Sequence, residues 1–107
     1  MSSMTCFKIV FSDVFPQLAS REAGEEARKF LLSKVLEHDS LIFDLGNKNL
    51  TPSFVDSSLA VLMSEVGYDV FKRKVKFDNA SETTKVLIKK TFSERINQME
   101  SLNNSVL

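Results

Sequence analysis

Apolar residues in this chain recur with two periods that take turns along it, and that alternation limits the folds open to it. Phe7, Ile9 and Phe11 alternate with Lys8, Val10 and Ser12, the period of a β-strand. Ala23, Ala27, Phe30, Leu31 and Val35 then follow at helical spacing, one buried stripe of an amphipathic helix. Leu41, Ile42, Phe43 and Leu45 form a near-continuous run broken by Asp44 and closed by Gly46-Asn47. Such a run suits a central strand covered on both faces. Val55, Leu59, Leu62, Met63 and Val66 return to helical spacing. Phe71, Val75 and Phe77 alternate with Lys72, Lys74 and Lys76, which reads as a third strand with one apolar and one basic face. Arg73 interrupts its apolar row and puts that end near the sheet's rim. Leu87, Ile88, Phe92 and Ile96 line a last helix.

The boundaries carry their own chemistry. Ser20 is an N-cap candidate with Glu22 in the first turn, where a carboxylate suits the helix dipole. Thr51-Pro52 opens the second helix, with Ser53 and Asp56 as a rival start of the capping-box kind. Gly67 is its natural stop. Asp78-Asn79 ends the third strand, and Ser81 with Glu82 opens the last helix. Gly24 either weakens the first helix or allows a strand to approach it closely. An extra short strand fits near Val14-Phe15 or Asn47-Leu50. The expected fold is a single β-α-β-α-β-α domain over residues 1–107, an α/β mixed sheet with helices packed on it. Its core spans about 7–96, with 97–107 as a tail that extends the last helix or frays.

A chain of 107 residues, 43% hydrophobic and 26% charged, can bury a real core. Nine phenylalanines should mostly fill it. Cys6 is the only cysteine; it reads as a small buried hydrophobe, and four-ligand zinc sites of the usual kind are excluded. No long apolar run occupies Met1–Ser12, and no stretch nears the ~18 apolar residues of a membrane span. The expected setting is cytoplasmic and reducing, with no membrane contact. The net charge of zero hides an asymmetry: residues 1–71 carry −4 and residues 72–95 carry +5. The basic third either favours a negatively charged partner or is a solvated lysine face.

No catalytic set stands out. His38 falls at a helix end, where a cation suits the dipole. No phosphate-binding glycine loop, EF-hand or HExxH pattern occurs, and no cofactor is implied. Asp44 ends an apolar strand, where functional groups of parallel sheets gather; the alternative is a hydrogen-bonded loop anchor. Ser53, Ser57 and Ser58 are possible phosphorylation sites beside a helix start.

The runs Ser20-Arg21-Glu22-Ala23, Leu41-Ile42-Phe43-Asp44-Leu45 and Thr51-Pro52-Ser53-Phe54-Val55-Asp56 resemble the STAS-like domain family of unknown function. These are small bacterial proteins similar in fold to anti-sigma-factor-antagonist domains. The resemblance covers about Phe7 to Arg95. It implies a regulatory role through protein contacts, with a partner such as an ATPase of histidine-kinase-like fold. In antagonist domains a serine at the start of the second helix is phosphorylated and the partner is released. Counted from the apolar strand, that position falls on Phe54, so the resemblance favours partner binding over a phosphoswitch. Asp56-Ser57-Ser58 restores the letters of the motif about one turn later, without its glycine.

The leading expectation is therefore a non-catalytic STAS-like module whose partner-binding residues are Arg21, Asp44, Ser53, Phe54, Asp56 and Ser57. Arg21 and Asp56 are either contact residues or an ion pair fixing the two helix starts. One alternative is nucleic-acid binding through Lys72, Arg73, Lys74, Lys76, Lys85, Lys89 and Lys90. Another is a small-molecule or nucleotide sensor at the second helix start. Sequence leaves the oligomeric state open.

Overall fold

The computed structural model describes residues 6–105, with the backbone alone described for 100–105. In order, the elements are β1 (Cys6–Val10), α1 (Phe11–Val14), α2 (Arg21–Glu37), β2 (Ser40–Asp44) and α3 (Pro52–Val55). A π-helical turn (Asp56–Ala60), α4 (Val61–Val66), α5 (Tyr68–Lys74), β3 (Val75–Asp78) and α6 (Glu82–Ser105) follow. The strands form one sheet in the order β1-β2-β3, and both pairings are parallel. The α/β class and the helix-on-sheet packing expected from the alternating periods are present.

Both crossovers step the same way across the sheet. Right-handed connections then lay α2 and the α3–α4 helix on the same face. α2 packs along α3, the π-turn and α4, and α6 packs on the same three. Ile9, Leu41, Phe43 and Val75 point into this layer and are buried. The opposite face is open. There Lys8, Ile42 and Lys76 stand in one row and Val10, Asp44 and Asp78 in the next. Lys8 and Lys76 are exposed, and Val10 and Ile42 are only half-buried. β2 is thus central, as its apolar run implies, but covered on one face rather than two. The lysines on either side of Ile42 keep that face wet.

Other local expectations also change. Phe71 begins no strand. It is buried in α5, and only Val75–Asp78 is extended. Phe71 and Val75 lie four apart, a spacing that serves a helix face as well as a strand row. Lys72 and Lys74 therefore belong to a helix, and only Lys76 stands on the sheet. No strand forms at Val14-Phe15, where α1 ends, nor at Asn47-Leu50. Phe30 is 36% exposed at the edge of its stripe, packed edge-on against Phe15. Cys6 is exposed, not buried, because it sits on the open face beside Ser40. α6 runs on to Ser105, so the tail continues the helix; residues 106–107 lie outside the described residues.

The π-turn has a reason in phase. Phe54 and Val55 precede Leu62 and Met63 by eight positions, and all four are fully buried. On an α-helix, eight positions leave the pairs about 80° apart. A π-turn takes up the surplus residue and brings both pairs to the core.

Candidate functional site

Two helix starts meet on the helical side. Ser20 caps α2, its Oγ accepting from the Ala23 N–H at 3.1 Å. Thr51 caps α3, accepting from the Phe54 N–H at 3.2 Å, and its hydroxyl donates to the Ala19 carbonyl. One residue thus caps its own helix and ties it to the other. Ser57 Oγ lies 2.9 Å from both the Arg21 and Ser53 carbonyl oxygens, its single proton shared between them. Gly24 permits this closeness: a Cβ there would stand 1.9 Å from Ser57 Oγ.

Charge crosses the same seam. Arg21 Nη1 donates to Asp56 Oδ2 at 3.0 Å, and Arg95 Nη2 donates to Asp56 Oδ1 at 2.8 Å. One carboxylate at the start of the π-turn therefore joins α2 to α6. Partial burial pushes the Asp56 carboxyl up, but the hydrogen bonds from Arg95 and Arg21 outweigh it and hold it below the ordinary aspartate value. Arg28 Nη1 bonds both oxygens of Glu65 at 3.1 and 3.2 Å. A polar cleft of about 330 Å³ runs along this seam, lined among others by Arg21, Glu25, Arg28, Ser57 and Glu65.

The expected site residues separate into three groups. Arg21, Ser53 and Asp56 come together, with Ser53 and Arg21 exposed. Phe54, Ser57 and Ser58 do not share their surface. Phe54 is fully buried core, so it touches no partner in this conformation. Ser57 and Ser58 are also buried, and Ser58 donates to the Phe54 carbonyl at 2.6 Å. Phosphorylating either requires the helix to open, which leaves Ser53 as the accessible serine of the three. Asp44 lies on the open face of the sheet instead. Its Oδ1 accepts from the Gly46 N–H at 2.8 Å and its Oδ2 from Asn79 Nδ2 at 3.0 Å, with Lys8 Nζ at 3.4 Å. The Gly46 N–H and the Asn79 amide hold its carboxyl below the ordinary value. These bonds fasten the left-handed turns at Gly46-Asn47 and Asn79, the geometry of a loop anchor.

The basic residues scatter too. Lys74 Nζ donates to the Val35 carbonyl at 2.9 Å and closes the end of α2. Lys76 faces the open side of the sheet, while Lys72, Lys89 and Lys90 project from α5 and α6. His38 caps α2 and stacks on Phe7 with ring centroids 4.5 Å apart.

Sequence reasoning missed Arg95 and Thr84. Arg95 adjoins Ile96 of the apolar stripe, so it had to lie at the stripe's border, a weak signal for a partner 39 positions away. Thr84 is fully buried. It accepts from the Leu50 N–H and donates to the Lys48 carbonyl, tying the β2–α3 loop to the start of α6. Among the described residues no His, Cys, Asp and Glu group has the makings of a metal site, and no helix is long and apolar enough to cross a membrane.

No protein-family model, curated protein or solved structure matches this chain.

Proposed function

We propose that this chain is a non-catalytic regulatory module of the STAS-like type that docks a protein partner. Its contact surface is the seam of the two helix starts: Arg21, Ser53, Asp56 and Arg95. On the resemblance, the partner is an ATPase of histidine-kinase-like fold. The supporting observation is the fixed charge pattern at this seam, with Arg21 exposed and Asp56 and Arg95 half-buried beside it. The helix start that the resemblance singles out presents Ser53 to solvent. One turn on, Asp56 holds Arg21 and Arg95 in place. A surface whose side chains are already positioned loses less entropy on association, and paired charges of both signs favour one partner orientation over others. Asp44 acts on this reading as a loop anchor and not as a contact. The reading requires no cofactor.

The test is site-specific crosslinking. A photoreactive residue in place of Ser53 is compared with one in place of Leu36, which is 69% exposed on the far half of α2. Both are irradiated in nuclease-treated extract of the source cells. The expected result is one stoichiometric protein captured from position 53 and absent from position 36, with capture lost in Arg21→Glu. Identical capture at both positions, or none, would remove the proposed surface.

A further inference from the structure

A second surface lies away from the seam and has a different character. α5, β3 and α6 enclose a groove of about 420 Å³. Its floor is apolar and largely aromatic: Phe71, Val75, Phe77, Ile88, Phe92 and Ile96. The rings brace one another. Phe71 and Phe92 stand edge to face with centroids 5.4 Å apart, and Phe77 packs on both Phe43 and Phe71. The floor is therefore rigid, yet Phe77 stays only half-buried and Tyr68 is 40% exposed at the mouth. Lys72 and Lys89 form the rim, and no acidic residue lines the groove.

Unpaired lysines beside an apolar floor set the surface apart. Lys8, Arg21, Arg28, Lys29, Lys34, Lys85 and Arg95 each lie within 4.0 Å of a carboxylate, whereas Lys48 and Lys76, which lie outside the groove, do not. On the groove's rim Lys72 and Lys89 are exposed, and neither has such a partner among the described residues. Lys72 Nζ instead sits 5.9 Å from the Tyr68 ring centroid. An apolar trough with unmatched positive charge on its banks is complementary to a chain segment carrying apolar side chains between carboxylates.

We infer that this groove binds an acidic amphipathic segment of a partner protein. Two or three of its apolar side chains seat on the Phe71–Phe77–Phe92 floor, and its carboxylates meet Lys72 and Lys89. The floor argues against nucleic acid as the occupant. It offers bases no hydrogen-bonding group, and its rings are turned against one another rather than laid out as stacking platforms. The inference is independent of the seam, because the two surfaces share no residue.

The experiment selects binders from a displayed random-peptide library with the folded full chain as bait. The enriched peptides are then titrated by fluorescence anisotropy. The expected binders alternate leucine-like residues with Asp and Glu. Lys72→Glu/Lys89→Glu should weaken them about tenfold or more, a usual cost of facing like charges. Ser93→Trp, an exposed position on the groove wall, should block the trough without changing its charge. Lys48→Glu, on the β2–α3 loop, should leave binding as it is. Circular dichroism checks that each variant keeps its fold. Four outcomes would overturn the inference: no enrichment, enriched peptides without acidic bias, equal weakening by Lys48→Glu, or an oligothymidine that displaces the peptides and binds more tightly. Insensitivity to Ser93→Trp would do the same, since it would place the peptides outside the groove.

Discussion

Changing Gly24 to alanine sets helix propensity against packing, and the structure decides the sign. Propensity alone favours alanine by about 1 kcal/mol in a helix interior. The new methyl, however, would stand 1.9 Å from Ser57 Oγ, 3.0 Å from the Phe54 carbonyl oxygen and 3.1 Å from Ser57 Cβ. The hydroxyl cannot swing away freely, because its proton is engaged by the Arg21 and Ser53 carbonyls. Overpacking of this kind costs about 1–3 kcal/mol, and a buried hydroxyl stripped of its acceptors costs a similar amount. The expected net effect is a loss of about 3 kcal/mol, read from urea unfolding followed by circular dichroism as a lower midpoint with an unchanged slope. In the Gly24→Ala/Ser57→Ala pair the Oγ clash disappears while the carbonyl contact stays. Part of the loss should return, with a coupling of about 1 kcal/mol or more. A Gly24→Ala chain as stable as the parent, or more stable, would refute the claim that α2 and the π-turn meet too closely for a side chain.

Asp56→Asn should destabilise by about 1–2 kcal/mol at neutral pH, between the usual values for exposed and buried pairs, since it leaves Arg95 half-buried without its carboxylate. The Asp56 carboxyl is held below its ordinary value of 3.8, so its contribution is complete above that pH and fades as pH falls through the lower folded value. The gap between parent and variant in acid titrations should therefore close below about pH 4, and a gap that widens there would contradict the ion pair. Ser58→Asp should fail to fold, because it places a charge at a fully buried position, whereas Ser53→Asp should melt close to the parent. Equal melting of the two would show that Ser58 is accessible. Lys74→Met should cost about 1 kcal/mol by releasing the Val35 carbonyl, and amide exchange should rise in the last turn of α2.

Features governed by a few neighbouring residues were legible in the sequence. The caps at Ser20 and Thr51 and the stop at Gly67 work through side chains and backbone angles within a turn, and each stands where the residues place it. β3 starts later than its apolar row implies because Phe71 and Val75, four apart, satisfy both periods, while Phe77 fits the strand alone. Propensity could not separate them, and burial of Phe71 against Phe92 favours the helix. The open face of the sheet was written in Lys8 and Lys76, but only their register against Ile42 reveals it. For the site, Arg21 and Asp56 could be named as a pair, while Arg95 depends on the angle at which α6 crosses the π-turn. Ser57 and Ser58 look available in a linear motif, and four consecutive buried residues in that turn withdraw them.

The wide turn at Asp56–Ala60 also bears on how the chain tolerates changes in length. A deletion in most helices rotates everything beyond it by about 100° and scrambles the core. Here the surplus residue is already set aside. Loss of Ala60 would bring Leu62 to seven positions after Phe54, two α-helical turns, with both core pairs still in phase. Such a deletant should fold with a straight helix through this segment, and a crystal structure retaining the wide turn would contradict the phase argument. A gain or loss of one residue in this helix would then register as a bulge that comes or goes, rather than as a shifted face.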